Sequence, residues 1–439
     1  MKKCEYVMTR NTLVVGFLLF AIFFGAGNLI FPPKLGYESS TEFFSAISGF
    51  VLTGVGLPLL GIIVSAFYNG GYKSALDKIH PWFSLAFLTS IYLAIGPFFA
   101  GPRTAATAYE MAIMPFLGDS SQVSMLIFTL IYFAFTLWLA LNPNKMVDRI
   151  GAILTPILLI TIIGLVIRAG FILDTDPQIT TPNTNEQSYF FKGMVDGYLT
   201  MDALASLAYS VIVLNAIRGK GVSQAALQRQ TVSAGLVAAV ALAVIYISLG
   251  WIGNNMPISA DTLSMLSERK LDLGTYILNT VTTQAFGELG RSVLGVIVSL
   301  ACLTTAVGLA VSVSEYFNEI FPKISYKVYA ILFTVISFTV ANQGLKEVIS
   351  KSIPVLLVLY PIAMTVILML LINLVIKLPL SAQRLSLLLV TIVAIASVAG
   401  VGFTENLPLK SYSMEWLPFA IIGAIIGAII HPLTGRKHK

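Results

Sequence analysis

Three apolar runs carry residues that could do chemistry. Gly25-Ala26-Gly27-Asn28, followed by Phe31-Pro32-Pro33, interrupts the first; Asp202, Ser206 and Tyr209 recur at helical spacing in another; Thr304 and Thr305 stand side by side in a third. The work these types suit is reversible holding of a small ion and a polar solute, with no covalent bond made or broken. Gly25 and Gly27 permit unusual torsions or close helix approach, Asn28 offers a donor and an acceptor, and Pro32 with Pro33 ends the following helical piece. A helix opened there presents a carbonyl end that attracts a cation and an amide end that attracts a carboxylate. The alternative is close helix packing with an ordinary Pro-Pro cap. Adjacent threonine hydroxyls are hard oxygen donors suited to Na⁺, although each can instead bond the carbonyl one turn back and need no ion. Asp202 shares a helix face with Ser206, and a carboxylate in hydrocarbon is costly enough to face protein or an aqueous path. A further run holds Tyr92, Gly96-Pro97-Phe98-Phe99-Ala100-Gly101-Pro102-Arg103-Thr104 and Glu110. Pro97 and Pro102 predict a kink. Arg103 and Glu110, about two turns apart, could form a gate or a buried pair, or Arg103 could tie to a neighbouring carbonyl or helix end or meet the solute directly.

These residues need a scaffold inside a bilayer. Of the 439 residues, 56% are hydrophobic and 11% charged, with a mean hydropathy of +0.86. That leaves too little polar surface for a soluble globule, and the repeated apolar runs suit a hydrocarbon core about 30 Å thick. The expected fold class is an all-α polytopic membrane protein with spans near 11–33, 42–67, 82–115, 123–141, 150–172, 194–217, 232–253, 290–316, 326–342, 352–376, 385–402 and 415–431. The third is too long to stand upright and must tilt, break or emerge. The first run follows Lys2 and Lys3 as a signal peptide would, yet no small-residue cleavage site follows, so it is read as a span. Placing Lys2, Lys3, Arg10, Lys73, Lys78, Arg218, Lys220 and Arg229 inside makes both termini cytoplasmic. The net charge of +6 then reads as topology, with no clustered basic and aromatic surface for nucleic acid. Three scattered histidines and two cysteines suggest neither a metal site nor a disulfide framework, and no phosphate-binding loop points to ATP. The expected organisation is a first repeat over 1–172 (helices 1–5), an external loop over 173–193, a second repeat over 194–376 (helices 6–10, with an external loop at 254–289), and helices 11–12 with a cytoplasmic tail over 377–439.

The segment Phe23 to Pro33, the segment Gly96 to Ala105 and the twelve-span pattern together closely resemble the branched-chain amino acid:cation symporter family, the BrnQ-type carriers, over nearly the full length. The resemblance implies a five-plus-five inverted-repeat amino-acid transporter with two added C-terminal helices. It implies import of Leu, Ile and Val across a bacterial cytoplasmic membrane with Na⁺ as coupling ion, and neither an enzyme nor any other cofactor. Carried residue by residue, it implies that Gly25, Ala26, Gly27 and Asn28 meet the substrate carboxylate. It implies a matching break in the sixth helix near Ala203 to Tyr209, bringing in Ala205, Ser206 and Tyr209, although the glycines often found there are missing. Na⁺ is implied between the Ala21 and Phe24 carbonyls and the Thr304 and Thr305 hydroxyls. H⁺ coupling through Asp202 and Glu110 is the alternative, and a channel or receptor a more distant one. Membrane lipid is the remaining partner, with no obligatory protein partner implied.

Overall fold

The computed structural model describes residues 10–68, 70–117, 121–141, 146–173, 188–218 and 224–434. Every described element is helical. The first segment is split into α1 (Arg10–Phe23) and α2 (Ala26–Ser39). α3 (Phe43–Val51) and α4 (Leu57–Phe67) run on through a widened π turn at Leu52–Gly56, and the short α5 (Gly71–Ile79) follows. α6 (Pro81–Leu93) and α7 (Ala100–Ala112) are joined by a second π turn, Ala94–Phe98, where Gly96 leaves helical geometry at φ −87°, ψ −105°. Pro97 and Pro102 supply no amide donors there, so the long third segment is broken as its prolines predict. α8 (Met114–Leu117) is a single turn, followed by α9 (Gln122–Leu141) and α10 (Met146–Ile172).

α11 (Tyr189–Tyr198) and α12 (Asp202–Arg218) form a second interrupted segment. α13 (Gln224–Asn254), α14 (Ala260–Glu268) and α15 (Leu273–Ile320) come next, α15 bending at Gly287, which has φ +69°. α16 (Tyr326–Ala341), α17 (Leu345–Val375), α18 (Leu380–Val398) and α19 (Trp416–Thr434) complete the order. Among the described residues, seven helical runs are long and apolar enough to cross a membrane, and three shorter apolar helices accompany them. Of the expected loop 173–193, residues 174–187 lie outside the described residues, as do 1–9 and 435–439. Its last residues are helical rather than loop, because α11 already starts at Tyr189.

Lipid tails are as apolar as leucine, so hydrophobicity does not drive helices together here; close backbone approach and cross-helix hydrogen bonds do. α2 lies against α13 so tightly that a Cβ on Gly253 would stand 1.9 Å from the Pro33 carbonyl oxygen, and one on Gly36 1.9 Å from that of Gly250. Asn254 Nδ2 closes this crossing by donating to the carbonyls of Gly36 (3.0 Å) and Ser40 (2.7 Å). α3 meets α11 in the same way. A Cβ on Gly193 would sit 1.8 Å from the Ala46 carbonyl oxygen, and Thr53 Oγ1 donates to the Met194 carbonyl at 2.7 Å. These two crossings hold the two broken segments in place. The outer faces of α9 and α19 instead present Ile127, Leu130, Ile131, Ile421, Ile425 and Ile429, the apolar exposure expected toward lipid.

Candidate functional site

The first break is built by Asn28. At the third position of α2 it reaches back so that its Oδ1 accepts the Gly25 amide at 2.9 Å, the return half of a capping box. The Gly25 amide also donates to the Phe23 carbonyl (2.9 Å), so it does not bond the Ala21 carbonyl one turn back. Carbonyls at the end of α1 and amides at the start of α2 are thereby released from the helical ladder, the defect that the glycines and Asn28 predict.

The second break lies at Leu199–Met201, about four residues before the Ala203–Tyr209 stretch where it was expected. No glycine makes it. Met201 takes a left-handed φ of +69°, a conformation that costs a non-glycine residue about 1 kcal/mol and persists only where its surroundings hold it. Three bonds do so: Thr200 Oγ1 donates to the Gly197 carbonyl (2.8 Å), the Met201 amide to the Tyr198 carbonyl (3.0 Å), and Arg103 Nη1 to the Leu199 carbonyl (2.8 Å). Asp202 then begins α12.

The two breaks face each other. Asn28 Nδ2 donates to Asp202 Oδ2 and contacts the Tyr246 hydroxyl, which donates to the same carboxylate oxygen at 3.4 Å. Asn28, Asp202 and Tyr246 are 1%, 5% and 0% exposed, so this cluster is shielded from bulk water. Beside it lies a cavity of about 50 Å³ lined by Gly25, Ala26, Gly27, Asn28, Arg103, Thr104, Thr200, Asp202, Ala205, Tyr209 and Thr305, with Phe23, Ile95, Ala100, Met201 and Leu309 as its apolar wall. It therefore combines a carboxylate, a guanidinium and opened helix ends with aliphatic surface, the chemistry a zwitterion with an apolar side chain calls for.

Several expected residues do not meet there. Ser206 is absent from the cavity wall: its Oγ donates to the Ala203 carbonyl (2.7 Å), and it packs against Gly61 of α4 so closely that a Cβ on that glycine would clash. Glu110 and Arg103 share a helix but form no pair. Glu110 accepts from Thr275 Oγ1 at 2.6 Å and from the Asp272 amide at 3.4 Å at the head of α15, whereas Arg103 ties to the end of α11. Asp202 does not join them and bonds Asn28 instead. Thr305 lines the cavity but Thr304 does not, and both hydroxyls donate to the Ala301 carbonyl, at 3.2 and 2.8 Å. Ala21 belongs to the last turn of α1 and Phe24 follows it directly, neither lining the cavity, so only their carbonyls are in question there. Tyr246 and Thr200 went unnoticed in the sequence, and Thr104 was named only as part of its run. For Tyr246 a signal existed, since a tyrosine in the middle of an apolar helix needs a partner for its hydroxyl.

Comparison with known proteins gives the family and the fold. The family model described as "Branched-chain amino acid transport protein" matches residues 8–434. A "Putative branched-chain amino acid carrier protein" of Staphylococcus epidermidis is 51% identical over 434 residues, covering 96% of this chain and 97% of that one. A similarly named protein of Staphylococcus saprophyticus is 50% identical over 440 residues, covering 98% of each. Among solved structures, Mhp1, a nucleobase-cation-symport-1 family transporter in a closed conformation with bromovinylhydantoin bound, superposes with a TM-score of 0.60 at 14% identity, covering 96% of this chain and 92% of its own. Its inward-facing form gives 0.59 at 12% identity. At such identities the likeness shows the fold alone, which is the inverted-repeat transporter fold in an all-α, multi-pass membrane protein. With a family match spanning nearly every residue and half-identical relatives of the same length, this chain belongs to the branched-chain amino acid transport protein family.

Proposed function

We propose that the protein imports Leu, Ile and Val together with Na⁺ by alternating access, through twelve crossings with both termini cytoplasmic. In this reading 1–172 and 194–376 are the two repeats, and 377–439 carries the added helices and tail. The carrying observation is the single cavity at which the α1–α2 and α11–α12 breaks meet. The amides opening α2 at Ala26 and Gly27, organised by Asn28, face the solute carboxylate; Asp202 and the carbonyls closing α11 face its ammonium. Phe23, Ile95, Leu309, Ala205 and Tyr209 cover the aliphatic side chain, gaining about 0.8 kcal/mol per buried methylene, which separates branched-chain solutes from glycine or alanine. A volume of about 50 Å³ suits a few waters rather than a whole amino acid, so the cycle includes a wider state.

The oxygens present fit Na⁺ as the co-transported ion. The Ala21 carbonyl is not taken by the Gly25 amide, the Phe24 carbonyl lies at the same helix end, and the threonine hydroxyls keep lone pairs after donating to Ala301. Neutral hard oxygens hold Na⁺ weakly enough to release it each cycle. Thr304→Ala with Thr305→Ala is expected to raise the Na⁺ concentration for half-maximal leucine uptake at least tenfold. Uptake into proteoliposomes over a Na⁺ series measures this, and an unchanged half-saturation rejects these ligands.

The burial of Asp202 within hydrogen-bond reach of Asn28 and Tyr246 favours one second reading, H⁺ coupling, because a shielded carboxylate can carry a proton through the cycle. Independently imposed gradients separate the two. Concentrative leucine uptake driven by an inward Na⁺ gradient at equal pH supports Na⁺ coupling. Uptake driven by inward H⁺ alone, indifferent to Na⁺, establishes the alternative.

A further inference from the structure

Arg103 is the one arginine lining the cavity, and it is 1% exposed. Its bonding is incomplete. Nη1 donates to the Leu199 carbonyl, while Nε and Nη2 are buried with no hydrogen-bond partner. The guanidinium carbon stands 5.2 Å from the centre of the Phe31 ring, a contact that adds attraction but satisfies no N–H. Asp202 and Asp272 attract it through space, but neither accepts a hydrogen bond from it: Asp202 is held by Asn28 and Tyr246, and Asp272 by the Thr275 amide. Burying a guanidinium against one neutral carbonyl leaves donors unpaid, a cost that an incoming anion removes.

The position of the side chain says which anion. A Cβ on Gly27 would stand 3.0 Å from Arg103 Nη1 and 3.4 Å from the Thr200 Cα, so the guanidinium lies against the start of α2 and beside the α11–α12 break. The same corner thus holds the amide end of α2 and a planar fork of N–H donors, which matches a carboxylate held by two parallel bonds. Asp202, bonded to Asn28 Nδ2, is left for a cationic group. We infer that Arg103 is the receptor for the carboxylate of the transported amino acid, binding it through Nε and Nη2 together with the amides opening α2, while its Nη1 stays on Leu199 and couples occupancy of the site to the second break. This rests on the reading of the cavity as the amino-acid site and adds to it the group that selects for a free carboxylate.

The test compares leucine with leucinamide, which keeps the side chain and ammonium but lacks the negative charge. Binding is measured by competition on the full chain in lipid nanodiscs, for the wild type and Arg103→Gln. The wild type is expected to prefer leucine by at least about 100-fold; in Arg103→Gln leucine weakens toward leucinamide and the ratio falls to within about threefold. Equal weakening of both ligands, with the ratio kept, shows a purely structural role and overturns the inference, as does no weakening of either. Should Arg103→Gln fail to fold, solid-state NMR on the wild type decides: leucine labelled with ¹³C at its carboxyl should lie within about 4.5 Å of an ¹⁵N-labelled guanidinium, and a separation beyond about 6 Å overturns the assignment. A wild type that binds no leucine at all rejects the amino-acid site itself, and the anchor with it.

Discussion

Asp202→Asn will give a folded carrier whose leucine uptake is at least about 100-fold slower. The substitution keeps size and shape at a buried position and removes a buried charge, so folding has little to lose. Function loses the negative charge of the acceptor on which the first break depends. Asp202 Oδ2 takes bonds from Asn28 Nδ2 and the Tyr246 hydroxyl, and Asn28 Oδ1 in turn fixes the Gly25 amide. Hydrogen bonds to a charged group contribute about 1.5–3 kcal/mol each, and about 2.8 kcal/mol is a factor of 100. An asparagine can accept weakly at its oxygen, but its own amide presents donors to a neighbourhood already supplied with them, and no negative charge remains to meet an ammonium or a cation. Initial rates in proteoliposomes, normalised to folded protein, measure the effect. A rate within threefold of the wild type removes Asp202 from the mechanism.

Gly253→Val and Gly193→Val will each abolish the folded carrier. The clashes are with backbone rather than flexible side chains: at Gly253 a Cβ meets the carbonyl oxygen, carbonyl carbon and Cα of Pro33 at 1.9, 2.6 and 2.8 Å, and at Gly193 those of Ala46 at 1.8, 2.7 and 3.1 Å. Relief requires separating α2 from α13, or α3 from α11, along each helix. That forfeits the cross-helix bonds of Asn254 and Thr53 as well, so the loss exceeds the roughly 1–3 kcal/mol of ordinary overpacking. The expected readout is loss of the monodisperse peak in size-exclusion chromatography of detergent extracts. Gly170→Val is the control, because a Cβ there meets nothing within 4 Å. Retention of the peak by either packing variant contradicts these crossings.

The first break was legible because its cause is local. Gly25, Gly27 and Asn28 violate helix rules within a few residues, and the structure interrupts the chain between Phe23 and Ala26; Pro32-Pro33 does not end the next piece as expected, because α2 runs on through both prolines to Ser39. The kink at Gly96-Pro97 was legible for the same reason. The second break was misplaced because no residue type announces it; Met201 is held left-handed by Thr200, Tyr198 and an arginine from another segment. Helical spacing put Glu110 on a face with Arg103 and Ser206 on one with Asp202, but it could not say what those faces meet. Glu110 found Thr275, and Ser206 found Gly61.

Composition and the spacing of apolar runs by themselves determined that this is a helical, many-times-crossing membrane protein, and two short motifs determined its family and the first opening in its helices. The tertiary structure alone decided the site: that Asn28 bonds an aspartate 174 residues away and touches a tyrosine 218 residues away, that the second opening starts at Leu199, and that Arg103 is buried beside both. The division has one physical cause. Backbone preference and bilayer partitioning act residue by residue and leave marks in local sequence, whereas a buried polar cluster exists only when separate helices bring complementary groups within hydrogen-bond reach, and many sequences with the same local pattern would bring together different ones.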